Sequence, residues 1–156
     1  MLTPDMQRIV GEQRLGFVAA VNLDGTPNLS PKATFVVIDP ATLAFAELRS
    51  PGTLRNLGAR PAVEVNFVDP FIRRGYRFGG EGVIIRRGTP EFDALLRHFA
   101  VYGDLVHRMH AVVRIWVTKA LPITSPAYDR GATEDSLRRL WTGRFRRLQP
   151  NGHFQE

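Results

Sequence analysis

Residues 28–38 begin with a strict alternation: Asn28, Ser30, Lys32 and Thr34 fall on one side, and Leu29, Pro31, Ala33, Phe35 and Val37 on the other. Period two is the mark of a strand with one polar and one apolar face. The turn ahead of it, Asn22-Leu23-Asp24-Gly25-Thr26-Pro27, has Asp-Gly at its centre, a strong hairpin signal. Residues 16–21 form a short apolar strand before that turn. Asp39-Pro40 breaks the alternating segment, and residues 42–48 read as the next strand. The expectation is three strands meandering antiparallel through short turns.

The rest of the chain repeats this vocabulary. Thr3-Pro4-Asp5 reads as a helix start, with a capping hydroxyl, proline at the first helical position and then an acid. Met6, Ile9 and Val10 give that helix, which runs to about Gln13, one apolar stripe. Ser50-Pro51 starts a second short helix, closed by Gly58 and Pro61. Residues 62–68 and 76–87 read as strands, the latter with Gly79, Gly80 and Gly82 marking a bulge or barrel corner. Thr89-Pro90-Glu91 caps a helix reaching about His107, residues 110–120 alternate as a strand, and residues 136–148 form a basic helix before a loose tail beyond Pro150. Six closely spaced strands with few, peripheral helices predict a mainly β, α+β domain: a six-stranded antiparallel barrel, closed or partly closed.

Length and composition bound the function. The chain has 156 residues, enough for one domain with a real core. That domain covers 1–156, with its core at about 6–120. The 44% hydrophobic and 23% charged content is globular. No apolar run approaches the ~20 residues that span a bilayer, and the N-terminus lacks a secretory pattern, so a soluble, cytoplasmic protein is expected. Without cysteine there are no disulfides, thiolate metal sites or cysteine nucleophiles. Lysine occurs only at Lys32 and Lys119, so the net charge of +6 is carried almost wholly by arginine, which forms forked bonds to phosphate and carboxylate. Charge alone leaves a phosphorylated ligand and a nucleic acid both open. No aromatic platform interleaves with the basic residues, which makes nucleic acid the weaker reading.

The candidate site lies between Asn28 and Asn56. One strand carries Lys32 and Thr34 on its polar face, the next ends in Arg49, and the following helix begins with Ser50 and Thr53 and holds Arg55. A helix N-terminus offers unpaired N–H groups and a partial positive charge, to which hydroxyls and guanidinium groups add. The combination suits a phosphate, although Ser-Pro opens many helices and Arg49 and Arg55 also fit a solvated surface. His107 and His110 could share a helix face, but no carboxylate completes a metal-ligand spacing, and no metal site is expected. Trp116 and Tyr76 read as core. Glu81 is unusual between glycines on a strand and is expected to pair with an arginine, either across the barrel or across an interface. The stretch SLRRLWTGRFRRLQP holds five arginines among apolar residues at helical spacing, giving either a solvated basic face or a second anion site.

The segments LGFVAAVNLDGTPNLSPKATFVVID and LAFAELRSPGTLRNLGARPAVEVNFVD resemble the pyridoxamine 5'-phosphate oxidase-like family of FMN-binding split barrels, and GYRFGGEGVII resembles that family's next strand. The ordered set runs from about Met6 to Thr118. The resemblance implies a homodimer with two FMN molecules across the subunit boundary, and an oxidoreductase acting on a small molecule, with a nicotinamide cofactor as a possible reductant. By the same resemblance Lys32 faces the flavin's phosphate or ring edge, Arg49, Ser50 and Arg55 hold the phosphate, and Thr53 caps beside it. Ser30, Pro31 and Ala33 set backbone groups near the isoalloxazine, with Thr34 a weaker candidate. No catalytic residue is assigned, because the flavin carries the redox chemistry. One departure concerns the second basic residue usual beside the phosphate-loop serine: Pro51 and Gly52 stand there, so Arg55 must reach back one turn. Relatives that bind a deazaflavin or heme make those ligands the alternatives, and a basic nucleic-acid module is the third.

Overall fold

The computed structural model of the chain describes residues 1–149; the tail beyond Pro150 lies outside them. Helix α1 (Pro4–Gln13) starts as its cap residues dictate, with Thr3 Oγ1 accepting the Met6 N–H at 3.3 Å. It leads into β1 (Gly16–Val21), and the Asp-Gly turn into β2 (Pro27–Lys32) is closed by Asp24 Oδ1 accepting the Thr26 N–H, with Gly25 at φ 90°. There follow β3 (Phe35–Asp39), β4 (Thr42–Glu47), α2 (Pro51–Ala59), β5 (Ala62–Asp69), β6 (Arg74–Arg86), α3 (Pro90–Leu96), a 3₁₀ stretch (Arg97–Arg108), β7 (Ala111–Thr124), a 3₁₀ turn (Tyr128–Arg130) and α4 (Glu134–Leu148).

All seven strands share one antiparallel sheet in the order β2-β1-β5-β6-β7-β4-β3. β2 and β3 therefore stand at opposite ends of the sheet, yet only Ala33 and Thr34 separate them in sequence. Three peptide steps span at most about 11 Å, so the sheet must curl until its two ends meet. This corrects the expected six strands to seven, and it breaks the expected meander. The alternating segment is two strands: β2 pairs with β1, β3 pairs with β4, and β4 then pairs with β7.

The interior is filled by phenylalanine. Phe35 lies 5.1 Å from Phe45 and 4.8 Å from Phe67, centroid to centroid, and Phe67 lies 6.1 Å from Phe78. Ile9 and Val10 bring α1 into the same cluster. A second cluster sits on the outer side of β4 and β7, where Phe92, Leu95, Phe99 and Met109 cover Ala44, Ala46, Ile85 and Val112. At Val112 and Val113, β7 is thus buried on both faces. The bulge expected among the β6 glycines lies between Gly79 and Gly80, where the Trp116 carbonyl occupies the space a Gly80 Cβ would need.

Two further expectations change. The helix read as reaching His107 is α-helical only to Leu96, and its 3₁₀ continuation kinks at Gly103 (φ 54°, ψ −133°), a conformation that glycine adopts without strain. Trp116 is not core: it is 59% exposed. Tyr76 does pack, half-buried, against the inner cluster. The basic C-terminal helix is present as α4, capped by Thr133 and docked on the β5–β6 turn. There Arg73 lies 4.1 Å over the Trp141 ring, Phe71 meets Phe145 at 5.2 Å, and Arg74 pairs with Glu134 at 2.8 Å. Among the described residues no helix is long and apolar enough to cross a membrane.

Candidate functional site

The curled sheet brings the end of β2, the end of β4 and the start of α2 together. Lys32, the last residue of β2, reaches Glu47, the last residue of β4: Nζ and Oε2 are 3.1 Å apart. The lysine is 6% exposed and the glutamate 3%. Lys32 Nζ also lies 5.8 Å from the centre of the Phe45 ring. The second Glu47 oxygen accepts the backbone N–H of Ser50. One carboxylate thereby joins the seam of the barrel to the residue that precedes α2. Beside it, the Thr34 hydroxyl bonds to both backbone groups of Ala46.

Ser50 is the N-cap of α2, as its sequence implies, but its hydroxyl makes no capping hydrogen bond. Instead the Thr53 N–H turns back on the Ser50 carbonyl at 3.1 Å. The serine hydroxyl is therefore left over, at the end of a helix whose dipole favours an anion. Arg49 and Arg55 are exposed, and among the described residues neither forms an ion pair. Thr53 is buried. The donors Arg49, Ser50 and Arg55 fit a phosphate monoester chemically, each with unused hydrogen-bonding capacity. Lys32 stands differently from the role the resemblance implies, because its ammonium group faces the Glu47 carboxylate in the interior.

β2 carries the second half of the arrangement, and its sidedness is the reverse of an ordinary strand. Asn28, Ser30 and Lys32 turn inward, while Pro27, Leu29 and Pro31 face out. Leu29 is 66% exposed. Ala33 is exposed and Thr34 buried. Next to Leu29 on the outer face lies Ala19, followed by Phe17 beside Pro31, and Phe17 is 45% exposed. Val68, Leu121 and Trp116 are also exposed further along the sheet, with Asn66, Arg77, Glu64 and Lys119 between them and β1 in the register. Glu81, opposite Trp116 in the ladder, is exposed, and among the described residues it forms no ion pair within the chain, so the expected arginine partner does not lie across the barrel.

Glu47 is the residue the sequence reading missed. Its signal was present: it is the one acid in the strand Thr42–Glu47, which is buried at every position. An ionisable side chain in such a run needs a charged partner. Lys32 is the partner that the curled sheet supplies.

Comparison with known proteins agrees with this architecture. HupZ from Group A Streptococcus superposes with a TM-score of 0.70 at 29% identity, over 80% of this chain and 96% of that one. An FMN-binding protein from Syntrophomonas wolfei gives 0.63 at 12% identity, covering 77% and 84%. HutZ, the heme storage protein from Vibrio cholerae, gives 0.61 at 16%, covering 77% and 93%. The last two likenesses concern the fold alone. No curated protein matches the chain. The model of the pyridoxamine 5'-phosphate oxidase family matches residues 2–122, which include all seven strands but for the last two residues of β7. On this match, and on a curled antiparallel sheet with peripheral helices, the chain belongs to the pyridoxamine 5'-phosphate oxidase family.

Proposed function

We propose that this chain is one subunit of a homodimeric, FMN-binding oxidoreductase that acts on a small molecule. The observation that carries the reading is the start of α2. A serine hydroxyl released from capping stands there, flanked in sequence by two arginines without ion-pair partners among the described residues. The phosphate of FMN belongs at Arg49, Ser50 and Arg55, with Thr53 one step behind. The ring then lies towards Ser30, Pro31 and Ala33 of β2. Bound there, the flavin supplies the electron-transfer chemistry, and the chain supplies orientation and a dry wall.

The inverted strand β2 supports the dimer. Leu29 and Pro31 of β2, with Ala19 and Phe17 beside them on β1, give this end of the sheet an apolar outer patch, and exposed apolar patches mark interaction surfaces. A second subunit would cover it and close the flavin in. A nicotinamide cofactor is the reductant that this reading favours.

The test is an absorption spectrum of the purified protein, before and after incubation with FMN and desalting. Retained flavin bands support the proposal. A protein that takes up heme or a deazaflavin in their place keeps the fold and changes the cofactor. A protein that retains no chromophore refutes the reading of Arg49, Ser50 and Arg55 as a cofactor site.

A further inference from the structure

Far along the chain from α2, α4 and the β5–β6 turn enclose a recess of about 280 Å3, lined by Phe71, Arg138, Thr142, Phe145 and Arg146. Arg138, Thr142 and Arg146 are spaced four residues apart, which sets them along one face of the helix, about 6 Å per step. Phe71 and Phe145 meet edge to face, with centroids 5.2 Å apart and planes at 65°. The recess thus combines two guanidinium groups and a hydroxyl with two aromatic rings.

The polar groups have capacity to spare. Each guanidinium carries five N–H donors. Arg138 approaches only Asp69, at 3.8 Å, beyond hydrogen-bond distance. That carboxylate already accepts the Phe71 and Ile72 N–H groups through its other oxygen. Among the described residues Arg146 makes no ion pair and no side-chain hydrogen bond. Docking of α4 also uses Arg73 stacked on Trp141, whose ring lies 6.1 Å from that of Phe145, and neither contact engages Arg146. The family match ends at residue 122, before α4 begins.

We propose that this recess binds a small aromatic anion, its ring against Phe71 and Phe145 and its phosphate or carboxylate on Arg138 and Arg146. An inorganic anion would use only half of the lining, and an uncharged arene only the other half. The ring earns its place through stacking and area burial, and the anion through charge-assisted bonds. This site is independent of the one at α2.

The test is isothermal titration of the full chain with phenyl phosphate, inorganic phosphate and benzyl alcohol. Saturable binding of one phenyl phosphate per chain is expected, at least tenfold tighter than either other probe. Arg146→Gln should weaken it at least tenfold, and Arg139→Gln, on the same helix but outside the recess, should leave it unchanged. An Arg49→Gln/Arg55→Gln variant should also leave it unchanged, which separates this recess from α2. The proposal is overturned if no saturable binding is seen, if Arg146→Gln binds like the parent chain, if Arg139→Gln weakens binding equally, or if only the α2 variant loses it.

Discussion

The Thr34 hydroxyl donates to the Ala46 carbonyl at 2.8 Å and accepts the Ala46 N–H at 3.1 Å. One side chain therefore does for Ala46 what a strand backbone does elsewhere, and it does so one residue ahead of β3. Both residues are buried. Thr34→Val keeps the shape and orphans two backbone groups, each at a cost of about 1–3 kcal/mol. Denaturant unfolding should show a loss of at least about 2 kcal/mol, and Thr34→Ser should recover most of it. A Thr34→Val protein as stable as the parent would show that the hydroxyl does not hold the seam.

Glu47 and Lys32 make an asymmetric prediction. Removing one partner strands a buried charge, which costs about 3–5 kcal/mol, whereas replacing both with apolar residues is often neutral or stabilising. Glu47→Gln and Lys32→Met should each lower the unfolding midpoint sharply, and Lys32→Met/Glu47→Leu should recover it. Additive losses in the double variant would mean the two groups act separately.

The tie between α1 and β6 is set by pH. The Tyr76 hydroxyl donates to Asp5 at 2.6 Å. That bond, and then the one from Arg8, holds the Asp5 carboxyl below its ordinary value; the same bond, with burial, pushes the Tyr76 phenol up. A lowered carboxyl contributes stability above its unfolded pKa, near 4, and loses it as pH falls through the folded value. The raised phenol contributes below about pH 10 and loses its share as pH rises further. Tyr76→Phe should therefore cost stability at neutral pH, with the gap to the parent closing in strong acid. Melting curves at pH 3 and below, against pH 7, decide it: a gap that stays constant would place the tyrosine's contribution in packing.

At the start of α2, Arg49→Ala should weaken FMN by about 10- to 100-fold, the range for a hydrogen bond to a charged group, and leave riboflavin, which lacks the phosphate, unaffected. Equal losses for both ligands would put Arg49 near the ring or in the fold. Titration followed by flavin fluorescence reads the difference.

Leu29→Glu tests the second subunit. Leu29 is 66% exposed, so a charge there should leave the isolated fold intact. In a dimer closed over this face the same charge is buried without a partner. Light scattering after size exclusion should give a dimer for the parent and a monomer for the variant. An unchanged mass would place any interface elsewhere.

The local elements were largely readable. Thr3, the Asp24-Gly25 turn and the glycines around Gly80 carry their structural roles in their chemistry. The break between Lys32 and Phe35 was not readable, because the alternation runs on through it and the cause lies in Ala46, which sits 12 residues beyond Thr34. Sidedness on β2 failed for a related reason. Alternation reveals that two faces differ, but not that the apolar one looks outward and the polar one meets Glu47. The donors at α2 were legible as residue types. That the Ser50 hydroxyl makes no capping bond, while the Glu47 carboxylate takes the Ser50 backbone N–H and pairs with Lys32 across the seam, is visible only in the folded chain.

The two-residue link between β2 and β3 has a consequence for how a ligand could ever reach this molecule. A sheet whose ends are stitched by Ala33 and Thr34 cannot part at that corner by more than the length of the tether, about 11 Å. The space inside is already occupied by Phe35, Phe45, Phe67 and Phe78. Traffic must therefore pass along the exterior, and a pocket deep enough for a planar molecule has to be built by adding walls from outside.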